Sequence, residues 1–120
     1  MILFIKKKHL TEWQIRSIHA LILKNIDDRN AGIYRRENVL ISGAAHIPPD
    51  YVLVPDRMRE LMVWYDTGDL HPVETAAVLH ADFVKIHPFT DGNGRTARLL
   101  MNFELMKNGF PPVVIRKEDR

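Results

Sequence analysis

Four stretches of the chain carry apolar residues at helical spacing. In the first, Thr11-Glu12-Trp13-Gln14 sets Thr and Gln at the separation of a capping box, and Ile15, Ile18, His19 and Ile22 follow along one face. This predicts a helix to about residue 25. In the second, Pro55 suits a first helical position, and Met58, Leu61, Met62 and Tyr65 keep the period up to Gly68. Pro72 opens the third, where Val73, Ala76, Ala77, Leu79, Phe83, Val84 and Ile86 cover most of the circumference. Glu74, Asp82 and Lys85 form a narrow polar stripe, so this helix is expected at the centre of the fold. It must stop by His87, because Pro88 disfavours helical geometry in the residue before it. The fourth runs over residues 95–108, with Leu99, Leu100, Phe103 and Met106 expected inward and Gly109 as its C-terminal cap.

Between the first two helices the pattern changes. Residues 27–32 read as a turn-rich loop. Asn38-Val39-Leu40-Ile41 is a strand candidate, Ser42-Gly43 a turn and Pro48-Pro49 a stop, which together predict a small β-hairpin. Residues 113–115 are expected to be extended. The expected fold class is all-α, a helical bundle with one short β-hairpin.

At 120 residues the chain fits one domain with one core, spanning 1–120. The absence of Cys removes disulfides, thiolate metal sites and Cys nucleophiles. A formal net charge of +2 does not imply a nucleic-acid partner. No apolar run approaches the ~20 residues of a membrane span. Met1 to Ile5 precede Lys6-Lys7-Lys8, the reverse of a secretory signal, so the expected location is cytoplasmic and the lysines a solvated charge run.

Unusual residue choices concentrate in His87-Pro88-Phe89-Thr90-Asp91-Gly92-Asn93-Gly94-Arg95-Thr96-Ala97-Arg98. Gly92 and Gly94 flank Asn93 where a loop becomes a helix, and glycine permits the backbone shapes of an anion nest. The first N–H groups of a helix lack internal partners and sit at the positive end of its dipole. Arg95 and Arg98 share a face of that first turn, where cations are unfavourable by roughly 0.3–1 kcal/mol each. Clamping an anion compensates, and two arginines beside a nest suit a polyphosphate. Asp91 would repel bare phosphate unless Mg²⁺ stood between them. His87 has the ordinary pKa of a general base near neutrality. Together these residues describe a phosphoryl- or nucleotidyl-transfer site.

Taken singly, each has a plainer role. Asn93 suits a helix N-cap, Asp91 a turn, and His87 a structural position at a helix end. His80, seven residues before His87, is expected to pack in the core. His9, His19, His46 and His71 show no metal-ligand spacing. A dinucleotide-binding fingerprint is formally met by Gly92-x-Gly94-x-x-Ala97, but residues 87–91 separate it from any strand and no parallel sheet is predicted.

The twelve residues resemble the signature of the Fic family, His-x-Phe-x-Asp/Glu-Gly-Asn-Gly-Arg-x-x-Arg, with every specified position present. The resemblance extends over about residues 34–120, through Tyr34-Arg35, His46-Ile47-Pro48-Pro49, His71-Pro72-Val73-Glu74 and Gly109-Phe110-Pro111-Pro112. These residues are similar to the branch containing an endoplasmic-reticulum chaperone-modifying enzyme. The resemblance implies a helical core with a β-hairpin flap at about 38–47, and transfer of AMP from ATP to a Ser, Thr or Tyr hydroxyl of a target protein. By position, His87 would be the base and Asp91 would hold Mg²⁺. Gly92, Asn93 and Gly94 would form the anion hole, Arg95 would support the β-phosphate and Arg98 the γ-phosphate. Leu40, Ile41, Ser42 and Gly43 would align the target by strand addition. Removal of AMP at the same site, or nucleotide binding without catalysis, would use the same residues. Members of that branch continue past the position of Arg120, so the chain is expected to be truncated at its C-terminus. The family's inhibitory Ser/Thr-x-x-x-Glu-Gly/Asn pattern does not occur: Ser17 is followed four later by Leu21, and Ser42 by His46. Inhibition is therefore left to a helix of a larger protein outside the chain, to a partner, or is absent.

Overall fold

A computed structural model describes residues 10–41, 43 and 45–114. Four α-helices build it: α1 (Glu12–Leu23), α2 (Val54–Thr67), α3 (Pro72–Ile86) and α4 (Asn93–Lys107), with a short 3₁₀ turn at Tyr51–Leu53 leading into α2. The capping box at α1 forms as expected. Gln14 N–H donates to Thr11 Oγ1 at 3.3 Å, and Thr11 N–H donates to Gln14 Oε1 at 3.0 Å. Helix α1 ends at Leu23, short of residue 25, because Asn25 turns to φ +66° and donates its N–H to Asp28.

The core joins all four helices. Ile15 of α1, Val54, Met58, Leu61, Met62 and Tyr65 of α2, Leu79, Phe83 and Ile86 of α3, and Ala97 and Leu100 of α4 pack into one buried cluster. Helix α3 packs most extensively on α4, with α2 on its other side and α1 against α4.

Three helix-level expectations change. Helix α3 is not buried all round: Ala76, Leu79, Phe83 and Ile86 face inward while Val73 is 45% exposed. Helix α4 starts at Asn93 and is rotated from the expected face. It buries Thr96, Ala97, Leu100, Met101, Glu104 and Leu105, while Leu99 and Met106 are 49% and 58% exposed. The pull comes from buried polar chemistry that hydrophobic periodicity does not register. Tyr65 O–H donates to Glu104 Oε1, and Lys107 Nζ lies 3.1 Å from the same carboxylate.

The expected β-hairpin is not seen among the described residues. Among the described residues there is no strand, and residues 38–41 make no backbone–backbone hydrogen bond. An isolated two-stranded hairpin is marginal in water, and here no third strand or apolar base supports it, as Leu40 is 81% exposed. Side chains hold the ends of the segment instead. Tyr51 N–H donates to Asn38 Oδ1 at 2.8 Å, and His46 Nε2 lies 2.9 Å from the Lys85 carbonyl. The expected turn is present at Gly43, with φ +77°; Ser42 lies outside the described residues, as do residues 1–9, with the lysine run, and Ile115.

Candidate active site

The loop between α3 and α4 is tied from behind at nearly every residue. His87 ends α3 in the left-handed region, φ +51° and ψ +60°, with its N–H on the Phe83 carbonyl at 3.0 Å. That conformation costs a non-glycine residue about 1–2 kcal/mol. Arg35 stabilises it. Its buried guanidinium donates to the carbonyls of His87 (2.7 Å), Ile86 (3.3 Å), Pro49 (2.6 Å) and Glu37 (3.0 Å), and its own N–H donates to Pro88 at 2.9 Å. One buried cation thus satisfies carbonyls at the end of α3 and at both ends of the segment between Glu37 and Pro49.

Phe89 is fully buried and stacks on His19 of α1, with ring centroids 3.6 Å apart and planes 7° apart. Asn93 is not the N-cap of α4. Gly92 holds that place at φ +78°, with no capping side chain. Asn93 instead staples the loop: Phe89 N–H donates to its Oδ1 at 2.9 Å, and its Nδ2 donates to the Phe89 carbonyl at 2.7 Å. A buried amide with both groups satisfied is worth more here than an exposed cap. Thr96 O–H, at 2.8 Å from the Gly92 carbonyl, closes the first turn of α4.

With Gly92 as a bare cap, the N–H groups of Asn93, Gly94 and Arg95 have no intrahelical acceptor and lie at the positive end of α4. They open on a cavity of about 630 Å³, lined by His80, His87, Asp91, Gly94, Arg95 and Arg98 among others. Gly92 and Asn93 complete the set, so all seven signature residues singled out in the sequence border one space. Its size falls within the roughly 300–1,000 Å³ usual for ligand pockets. Leu40, Ile41 and Gly43 are not among its lining residues.

Gly94 lies directly beneath the Arg98 side chain. A Cβ there would stand 3.2 Å from the Arg98 guanidinium, which folds across the start of the helix. Asp91 is exposed, and its Oδ1 accepts from Gly92 N–H at 2.7 Å, which orients the carboxylate at the cavity. Among the described residues no three His, Asp or Glu side chains cluster as a metal site. One oriented carboxylate fits a hard cation that takes its other ligands from phosphate oxygens and water, as Mg²⁺ usually does.

The histidines around the loop are all biased toward the neutral form. Burial, then the charge of Arg35, hold the His87 pKa below its ordinary 6.5, against the opposing pull of Asp91 and the Val84 carbonyl. His87 Nδ1 is buried without a well-formed hydrogen bond, which leaves Nε2 as the nitrogen able to exchange a proton with a ligand. Burial and Arg98 likewise lower His80, and burial lowers His19.

Sequence reasoning misplaced His80, which lines the cavity instead of packing in the core. Its spacing of seven residues from His87 on one helical face was the signal. It passed over His19, whose place on an apolar helix face hides a polar role. Arg35 gave no signal of its own chemistry beyond its place beside Tyr34.

The chain matches the family model described as Fic/DOC family over residues 9–105. It is 46% identical over 118 residues to the protein adenylyltransferase Fic of Nematostella vectensis, covering 96% of this chain and 27% of that protein. To the protein of the same name from Drosophila mojavensis it is 41% identical over 119 residues, covering 97% and 23%. The chain therefore spans about a quarter of the length of these relatives. Among solved structures, a Fic-domain-containing signaling protein from Bacteroides thetaiotaomicron superposes with a TM-score of 0.84 at 39% identity, covering 98% of this chain and 49% of that one. Fic-1 from C. elegans, residues 134–508 with the substitution E274G, gives a TM-score of 0.79 at 36% identity, covering 92% and 32%. The match spans the helical core and the loop between α3 and α4, and the chain belongs to the Fic/DOC family.

Proposed function

We propose that the chain carries the catalytic centre of a protein adenylyltransferase, transferring AMP from ATP to a hydroxyl of a target protein. The observation that carries this is the convergence of a proton acceptor, an oriented carboxylate, a helix N-terminus and two arginines on one cavity. The relatives' printed name, protein adenylyltransferase, supports the same reading.

The triphosphate lies over the start of α4. The N–H groups of Asn93 and Gly94 meet its oxygens, Arg95 supports the β-phosphate and Arg98 the γ-phosphate. Such pre-aimed donors favour the charge that develops on phosphate oxygens during transfer. Asp91 would hold Mg²⁺, which when bound would neutralise phosphate charge. The lowered pKa of His87 keeps its ring ready to accept at neutral pH. His87 Nε2 takes the proton of the target hydroxyl as that oxygen forms its bond to the α-phosphorus. The bond from the α-phosphorus to the bridging oxygen breaks, and pyrophosphate leaves with the electron pair. The segment around Leu40, Ile41, Ser42 and Gly43 aligns the target. Its residues 38–41 make no backbone–backbone hydrogen bond to another described residue, which suits an added strand.

The test is incubation of the chain with ATP labelled at the α- or the γ-phosphate and a lysate as acceptor. Protein labelled from the α position alone, and lost in His87→Ala, is the expected result. Label arriving only from the γ position would make the site a kinase. An ATP-dependent rise in melting temperature with no labelled protein would make it a binding module.

A further inference from the structure

Helix α1 contributes no side chain to the cavity, yet it presents a wholly buried imidazole to the back of the loop. His19 is 0% exposed. Its two nitrogens face groups of opposite kind. Gly32 N–H donates to Nδ1 at 2.9 Å, and Nε2 lies 2.7 Å from the Asp91 carbonyl oxygen. A backbone N–H only donates and a carbonyl only accepts, so the ring is the neutral tautomer with its proton on Nε2. The stacked Phe89 ring fixes its plane. The ring and Leu23 pack directly on Gly92, where a Cβ would stand 3.4 Å from His19 Nε2 and 3.4 Å from Leu23 Cδ2.

The consequence passes through one peptide unit. The Asp91–Gly92 peptide is trans, so its C=O and N–H point in opposite directions. The C=O is drawn toward α1 by His19, which aims Gly92 N–H the other way, where it holds Asp91 Oδ1 at 2.7 Å. Hydrogen bonds linked through a shared amide polarise one another.

We infer that His19 is a positioning residue for nucleotide binding: its Nε2–H grips the Asp91–Gly92 peptide from behind and so sets the aim of the Asp91 carboxylate and of the first turn of α4. This rests on the nucleotide reading of the site.

Two substitutions separate the donor from the space the ring fills. In His19→Gln the amide nitrogen reaches the place of Nε2 and can still donate to Asp91. In His19→Asn the side chain reaches only the place of Nδ1, and can accept from Gly32 but not donate to Asp91. Titration calorimetry with ATP and Mg²⁺, beside thermal unfolding of each variant, reads the difference. His19→Asn is expected to bind about tenfold more weakly than His19→Gln, the scale of one lost buried hydrogen bond. It is also expected to need more Mg²⁺ for half-maximal binding, and to melt a few degrees below His19→Gln because the Asp91 carbonyl loses its donor. Equal affinity and equal Mg²⁺ requirement in the two variants, at whatever level, would overturn the inference.

Should neither variant fold, the unaltered chain supplies the test. Imidazole ¹⁵N shifts are expected to show the proton on Nε2, with the Gly92 amide shifting on addition of ATP and Mg²⁺. A proton on Nδ1, or an unmoved Gly92 amide in a chain that binds ATP, would overturn it. An unaltered chain that binds no ATP would instead strike the nucleotide reading itself, and the inference with it.

Discussion

His87 occupies a backbone conformation that its residue type disfavours, and burial, then the guanidinium of Arg35, lowers its proton affinity. Both features suit a group that must stay neutral and point one nitrogen outward. His87→Ala is expected to lower the rate of protein labelling by about 10²–10⁴-fold, the usual contribution of a positioned base, with ATP affinity little changed. An equal loss of ATP affinity, by calorimetry, would assign the ring to binding. The acid limb of kcat/KM reports the free enzyme's base. Because the folded pKa lies below 6.5, that limb is expected to bend below pH 6.5 and to be flat above it. A limb bending above 6.5 would contradict the assignment. At this scale the sequence displayed the residues whose chemistry breaks a local rule, such as Arg95 and Arg98 in a first helical turn. It concealed those whose role depends on long-range contact. Asn93 suits a cap by its place in the sequence but staples the loop, and His19 meets Asp91 across 72 positions of chain.

The loop and the segment at residues 38–47 are joined by Arg35. Four carbonyls converge on one side chain. Arg35→Met would leave them buried without a donor and is expected to cost about 2–4 kcal/mol of stability, read as a lower urea midpoint. The same change removes a cation near His87, so the acid limb should move up in pH. A variant with wild-type stability would show that water replaces the guanidinium at no cost. Helix positions were legible because their starts carry strong local signals, Thr11 with Gln14 and the prolines at 55 and 72. The face that α4 buries was not, since Glu104 is drawn inward by Tyr65 and Lys107. The hairpin is a related case: a strand candidate and a turn mark the segment, but pairing also needs a neighbour, and residues 38–41 have no backbone partner among the described residues.

Across the whole molecule, three histidines bind protons less readily when folded than their ordinary value allows. The unfolded chain therefore takes up more protons than the folded one as pH falls through about 6.5, and stability rises with pH in that window. Urea midpoints are expected to drop between about pH 7.5 and about pH 5.5 and to be nearly level above pH 7.5. His19→Gln should make the drop shallower, and a midpoint independent of pH would contradict the burial of these rings. At the scale of the molecule no described helix is long and apolar enough to cross a membrane. The central claim concerns which phosphorus the target oxygen attacks. ³¹P NMR of the chain with ATP, Mg²⁺ and a purified acceptor protein follows it directly. The expected products are free pyrophosphate and a phosphodiester signal on the acceptor, both absent with His87→Ala. ADP together with a phosphomonoester on the acceptor would contradict adenylyl transfer.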